Sequence, residues 1–301
     1  MDVRRLELLR ELGERGSVIA VARATHRTPS AVSQQLKVLE REIGFPLTER
    51  RGRGIALTDA GKALARTATD IAVALQRAEA VWNEFVVAPA GEVTLATFPT
   101  AGQMLLPGLL REVGAHPGLT LVASDRDPSV PGFAALTNDF DVVLGHSPNG
   151  VRSWRGSGLA LEELMVEPLD VALPPDHPLA ARGTLEPADL VGETWIGVPV
   201  DFPFQQVLTE IERITGEPPL VAQRFSDTRI IESLVASGAG VAILPRYTAG
   251  SSVARVAIRP LVGISAERHI CTLMRPENAE RPSVRLVQDI LRREAARIGS
   301  S

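Results

Sequence analysis

Only one cysteine, Cys271, occurs in 301 residues, so the chain has no intrachain disulfide and no thiolate zinc cluster. That cysteine reads as a buried core residue rather than a nucleophile. No run of about 18 apolar residues is present, which excludes a hydrophobic membrane-spanning helix. The opening MDVRRLELLRELGERG is too charged and too periodic for a secretory signal, so the expected address is the cytoplasm. Catalytic constellations are lacking as well. There is no GxGxxG, no phosphate-binding P-loop, no HExxH and no GxSxG, and GHSPNG around Ser147 has no nucleophile turn. The five histidines are scattered without metal spacing. The expectation is therefore a protein without enzymatic activity, resident metal or cofactor.

What is present suffices for two or three domains with real cores, since 45% of the residues are hydrophobic. The net charge of −4 hides an asymmetry. Residues 1–66 hold 13 Lys and Arg against 8 Asp and Glu, leaving 19 against 28 in the rest of totals of 32 and 36. A basic front on an acidic body suits DNA binding, because phosphate neutralisation needs local positive charge and not a basic whole.

The front is organised around TPSAVSQQLKVLE, residues 28–40. Thr28 is a good N-cap, and Pro29 suits a first turn whose N–H groups have no intrahelical partner. Val32, Leu36, Leu39 and Ile43 recur at helical spacing, with Ser30, Ser33, Gln34, Lys37 and Arg41 opposite. Short hydroxyl and amide groups with cations further along match the needs of a major-groove reader. Upstream, Val3, Leu6, Leu9 and Leu12 mark a first helix that Gly16 can end. Ser17 is placed to cap a second, from Val18 to about Thr25, with Val18, Val21 and Ala22 inward. The link at His26 and Arg27 completes a helix-turn-helix pattern.

After Gly44, Phe45 and Leu47 are expected to seat a turn on the helical core. ERRGRGIALT then reads as a two-stranded wing with Arg50, Arg51 and Arg53 at its tip, suited to phosphates or a narrow minor groove. Thr58 is placed to cap a helix of about 30 residues. Its apolar positions Leu64, Ala68, Ile71, Leu75, Ala78, Trp82 and Phe85 are spaced 4, 3, 4, 3, 4 and 3 apart, a heptad seam. The expected partner of that seam is its copy in a second subunit. Residues 86–91, VVAPAG, form the expected hinge.

From Glu92 onward, short apolar runs alternate with helical ones. EVTLATF precedes a helix near 101–113, then come LTLVAS, a weaker helix within 130–138, and DVVLGH. LDVALP, TWIGVP, a helix over 204–214, LVAQRF, a helix over 227–237 and VAILP follow, before HICTLM and a helix over 284–298. This alternation predicts two α/β lobes built on parallel sheet, with a cleft between them for a small ligand.

With these motifs in place, the sequence resembles the LysR-type transcriptional regulators over nearly its whole length. ERGSVIAVARATHRTPSAVSQQLKVLEREIGFPLTERRGRGIALTDAGKAL carries the specific part, and VTLATFPTAGQMLLPGLL, FDVVLGH, DHPLAARG and LVASGAGVAILP carry the rest. The implied architecture is an all-α winged helix-turn-helix over 1–58, a linker and dimerisation helix over 59–88, and a two-lobed α/β effector domain, like a periplasmic binding protein, over 91–301. Lobe I would take about 91–163 and 267–301, and lobe II about 164–266. The resemblance implies a homodimer or homotetramer on double-stranded promoter DNA, tuned by a small effector, with RNA polymerase a candidate further partner. Residues 92–301 alone would equally suit a solute-binding or sensor protein, but the front 88 residues favour the regulator.

Carried over, the DNA-contacting positions are Thr28, Pro29, Ser30, Ser33, Gln34 and Lys37, with Arg50, Arg51 and Arg53 on the wing. Thr48 stands where the family usually has an aromatic residue, and Gln34 where an arginine is common, which favours adenine over guanine. For the effector, Pro99 and Thr100 open a helix whose free N–H groups at Ala101 and Gly102 suit an anion. His146, Val198, Asp201, Phe202 and Thr228 are the further candidates. Asp201 would repel a carboxylate, so the expected effector is cationic, zwitterionic or uncharged.

Overall fold

The computed structural model describes the chain except for residues 52–53, 87–88, 251–254 and 301, and the side chains of 83–86. It divides into two units, Met1–Gly91 with Arg275–Leu286, and Glu92–Met274 with Val287–Ser301. Segment 275–286, expected in lobe I, thus groups with the front.

In the front unit, α1 (Val3–Arg15) starts with the Asp2 carboxylate accepting from the Arg4 amide and stops at Gly16, whose φ of 64° needs no Cβ to be relieved. α2 (Val18–Ala24) starts at Ser17 without the expected hydroxyl cap; the Ser17 carbonyl accepts from the Val21 amide instead. His26 takes a left-handed φ of 52° in the turn. α3 (Pro29–Ile43) is capped by Thr28, whose hydroxyl accepts from the Ala31 amide at 3.2 Å. Leu6, Leu9, Leu12, Val21, Val32, Leu36 and Leu39 form the buried core. Two expected contributors stay out of it. Ile43 is 36% and Phe45 67% exposed, because α3 ends at Gly44 one turn beyond its last buried residue and Leu47 alone turns inward.

The wing is the antiparallel pair β1 (Thr48–Arg51) and β2 (Gly54–Leu57). Its seating answers the missing family aromatic. Glu40 Oε1 accepts from the Leu47 amide, the Thr48 amide and the Thr48 hydroxyl, each at 2.9 Å. One carboxylate on α3 therefore fixes where the wing leaves that helix. Thr58 caps α4 (Asp59–Val86), accepting from the Gly61 amide at 3.0 Å. Gly61 is required there, since a Cβ would lie 2.1 Å from the Leu47 carbonyl oxygen.

The heptad seam on α4 is divided. Ala68 is buried, and half-buried Leu64 and Ile71 pack on the front unit's own core, so part of the seam expected to meet a second subunit is already covered within the chain. Their neighbours in that core are α1 and the wing. Leu75 and Trp82 remain 47% and 68% exposed, with Ala78 exposed between them. The Phe85 side chain, Arg53 and residues 87–88 of the expected hinge lie outside the described residues.

In the rear unit the elements are β3 (Gly91–Thr97), α5 (Pro99–Val113), β4 (Leu119–Asp125), α6 (Val130–Leu136), β5 (Val142–Ser147) and β6 (Ala160–Leu173). β7 (Thr194–Gly197), α7 (Gln205–Thr215), β8 (Leu220–Arg224), α8 (Thr228–Ala236), β9 (Ala242–Pro245), β10 (Ala257–Arg259) and β11 (Glu267–Met274) follow. The expected parallel sheet is corrected to a mixed one. β3 runs parallel to β5, and β7 to β8, but β11 is antiparallel to β5 and β6, and β6 is antiparallel to β9 and β10. The reason is β6. This strand has 14 residues, where LDVALP marked only its end. Its first part pairs with β11 and its last five residues with β9 and β10, so one continuous strand serves both lobes. A strand facing returns of the chain in both lobes takes them antiparallel.

Apolar residues fill both halves. β5 is buried along its length, and Trp195, Phe204, Leu208, Ile211 and Ile231 centre the second core. Cys271 is fully buried, and burial, with Glu163 second, pushes its thiol up to about 12.

The chain closes with α9 (Pro276–Glu280) and α10 (Pro282–Gly299). Within the front unit, Arg10 pairs with Glu277, Arg275 with Glu11 at 2.6 Å, and Arg77 with Glu280 at 2.8 Å. Burial alone would raise the Glu11 carboxyl, but hydrogen bonds from Arg15 and Arg275 outweigh it and hold it below its ordinary range.

Candidate functional site

The front unit presents a polar ridge. Pro29, Ser30, Gln34, Lys37 and Arg41 are exposed along the outer side of α3, Ser33 is half-buried, and Val32, Leu36 and Leu39 hold the opposite side to the core. Helical periodicity alone creates this division, since residues three and four apart share a face. Thr28 is exposed, but its hydroxyl is engaged with the Ala31 amide and lies 3.0 Å from that of Ser30, so capping is its first role. Arg50 and Arg51 stand exposed on β1 beside this helix in sequence. The free N–H groups and positive dipole end of α3 lie at its N-terminus, where Ser30 sits.

The rear unit holds a cavity of about 970 Å³. Its walls come from the start of α5 (Pro99, Thr100, Gln103), the end of β4 and the turn after it (Asp125, Asp127), the turn after β7 (Asp201, Phe202, Phe204), and the start of α8 (Asp227, Thr228, Arg229, Glu232). Of the residues expected at the ligand, Pro99, Thr100, Asp201, Phe202 and Thr228 stand on this wall. Ala101, Gly102, His146 and Val198 do not. Ala101 and Gly102 face into lobe I, where Gly102 lies against Thr97, and Val198 belongs to the second core.

His146 lies behind the wall. Its ring packs 4.4 Å from Phe98, 5.7 Å from Phe202 and 6.3 Å from Phe204. Burial, reinforced by Arg268, pushes its imidazole below the ordinary value against the opposing pull of Asp127. Nε2 lies 3.2 Å from Asp127 Oδ1, so a neutral ring donates there and leaves Nδ1 as an acceptor.

The main residue absent from the sequence reading is Arg268. It is 1% exposed, yet it forms part of the cavity wall. Nε and Nη2 donate to Glu167 Oε2 at 2.8 and 2.6 Å, and Nη2 also donates to the Thr100 hydroxyl at 2.7 Å. Phe98 and Phe204 flank the guanidinium, with centroids 5.0 and 5.2 Å away. The other oxygen of Glu167 accepts from the Tyr247 amide. A single buried cation thus joins β11, β6, α5 and the turn after β7. No spacing in the sequence signals it, because Glu167 and Thr100 lie 101 and 168 residues away.

A capped helix with an exposed polar side and a basic wing, ahead of a two-lobed α/β unit with a cavity, matches two family models in that order. Residues 3–62 match the bacterial regulatory helix-turn-helix protein, lysR family, and residues 88–296 match the LysR substrate binding domain. The chain belongs to the LysR family. It is a DNA-binding transcriptional regulator with an effector-binding domain, and not an enzyme. The front match decides against a stand-alone solute-binding protein.

Relatives of this LysR-family chain include the transcriptional dual regulator GltC of Bacillus subtilis, 26% identical over 283 residues that span 93% of this chain and 92% of GltC. The regulator CbbR of Xanthobacter flavus is 28% identical over 306 residues, covering 98% and 88%. Among solved structures, a full-length OxyR variant from Pseudomonas aeruginosa superposes with a TM-score of 0.66 at 19% identity, covering 97% of this chain and 98% of that one. At that identity it speaks for the fold alone. CbnR complexed with its target DNA superposes with a TM-score of 0.55 at 25% identity, covering 98% and 100%. Among the described residues no helix is long and apolar enough to cross a membrane, and no cluster of metal-ligating side chains occurs.

Proposed function

We propose that this regulator acts in the cytoplasm as a homo-oligomer, reading promoter DNA with the exposed side of α3 and adjusting that binding when a small effector enters the rear cavity. The ridge of Pro29, Ser30, Ser33, Gln34 and Lys37 beside Arg50 and Arg51 is the observation that carries the reading. Ser30, Ser33 and Gln34 supply short hydrogen-bonding groups for base edges, and Lys37 with the two arginines supplies phosphate contacts. Lys37 and Arg41 extend the positive face along the helix. Arg53 belongs to the same proposed set. The bisected seam leaves Leu75, Ala78 and Trp82 as the portion of α4 available to a second subunit, giving two reading helices for two half-sites. The proposed domain limits are 1–58, 59–88 and 91–301.

The test is a mobility shift with DNA from upstream of the regulator's own gene. Retention should weaken steeply as salt rises, since each phosphate contact releases counterions. A Leu75→Glu, Trp82→Glu double variant should sediment as a smaller species than the parent. Retention indifferent to salt, or an unchanged sedimentation coefficient, would count against the corresponding half of the proposal.

A further inference from the structure

The cavity wall of the rear unit carries five carboxylates, Asp125, Asp127, Asp201, Asp227 and Glu232, against two guanidiniums, Arg229 and Arg268, a formal charge of −3. Both guanidiniums are already engaged. Arg268 is bound by Glu167 from behind the wall, and Arg229 Nε and Nη2 grip the two oxygens of its own neighbour Asp227 at 3.0 and 2.7 Å. Once these pairs cancel, Asp125 and Asp127 remain on the lobe I side and Asp201 and Glu232 on the lobe II side. Neither Asp127 nor Glu232 gains a countercharge from its bond. Asp127 faces the neutral ring of His146, and Glu232 accepts from the Gly250 amide at 2.8 Å.

We infer that the effector of this regulator is an organic cation, a small molecule carrying amine or guanidinium groups, held between the facing carboxylates of the two lobes. The inference rests on the proposal that the cavity is the effector site, and adds its chemical class. Two physical points support it. Carboxylates converging on a cavity with apolar walls focus a negative potential that concentrates cations. Phe202 and Phe204, 5.2 Å apart and edge to face, add aromatic surface to the same wall, which also favours a cation.

One feature pulls the other way. The N-terminus of α5 carries about half a positive charge, the usual seat for an anion. Here Pro99 supplies no N–H, and the Thr100 hydroxyl already accepts from Arg268 at 2.7 Å. Half a charge does not reverse four uncompensated carboxylates. A carboxylate group is therefore tolerated at α5 only on a molecule whose cationic groups outnumber it.

The experiment is isothermal calorimetry on the full chain with putrescine, agmatine and arginine as cationic probes, and succinate and benzoate as anionic ones. At least one cationic probe should bind. Its affinity should fall by about tenfold or more in Asp125→Asn, Asp201→Asn protein, the loss of charged hydrogen bonds, and should weaken as salt rises. Because exposed Asp125 and Asp201 carry no packing role, the variant should melt at the parent's temperature. Binding of succinate or benzoate in place of the cations overturns the inference, as does tighter anion-free cation binding by the neutralised variant. Absence of binding by all three cationic probes overturns it as well. A mobility shift on the same preparations separates the two levels. Intact salt-sensitive DNA retention with anion-selective calorimetry ends the cation assignment and leaves the regulator standing, whereas cation binding without any DNA retention strikes the regulator proposal alone.

Discussion

The ridge on α3 and the wall of the rear cavity are both polar surfaces, yet they are built in opposite ways. The ridge is convex, cationic and made from residues 29–41, neighbours along one helix whose side chains are set by the helical period. The cavity is concave, acidic and assembled from residues 99–268, which are far apart in sequence and come from both lobes. A ridge of this kind tolerates substitution, since its groups face water and depend little on one another. The cavity depends on a buried pair, Arg268 with Glu167, whose members are 1% and 0% exposed.

That contrast is sharpest at Glu167. Glu167→Gln should leave a buried guanidinium without its countercharge and cost about 3–5 kcal/mol of rear-unit stability. Urea unfolding followed by the fluorescence of buried Trp195 reads this, and a loss below about 1 kcal/mol would show that the cavity does not depend on the pair. On the front unit, Glu40→Ala removes the acceptor shared by the Leu47 amide and the Thr48 amide and hydroxyl. The expected cost is about 2 kcal/mol, with Glu40→Gln recovering part of it, checked by thermal melting. Gln34→Ala should leave stability unchanged and remove about 1–3 kcal/mol of preference at a single base pair. Competition between operator variants measures it; equal weakening on every sequence argues against base reading.

The smallest expected effect is a pH dependence. His146 has a folded-state pKa below its ordinary 6.5, so the unfolded chain takes up a proton that the folded chain refuses. Stability from this group is present above about pH 6.5 and declines as pH falls from there toward the lowered folded value. Burial sets the fall, with Asp127 opposing it and Arg268 adding to it as the charged groups facing the ring. Replacing His146 with Asn should flatten that part of the pH profile in denaturant titrations; an unaltered slope assigns the dependence to other groups.

The front unit was largely legible because its information is local. Thr28, Pro29, Gly16 and Thr58 mark helix ends by the chemistry of their own residues, and the period of Val32, Leu36 and Leu39 names the buried side. The misses there were contacts made at a distance. Ile71 has the right spacing for a dimer seam, but spacing does not say whether α1 or a second subunit covers it. In the rear unit the strands could be counted, yet their directions depended on β6 extending to Ala160, and polar residues such as Glu162 and Glu163 disguised its first half. Thr100 and Asp201 were visible as loop and cap residues. Arg268 was not, since a lone arginine before HICTLM carries no signal without Glu167.

The sequence by itself determined the helix-turn-helix, its capped second helix, the wing, and a lobed α/β body, because caps, turns and hydrophobic periods act over a few residues. Tertiary structure decided which half of the α4 seam stays open, how the wing is fastened to Glu40, and that the cavity is acidic. Charges cancel or reinforce according to their separation in space, and the chain order of Asp125, Asp201, Glu232 and Arg268 does not contain that separation.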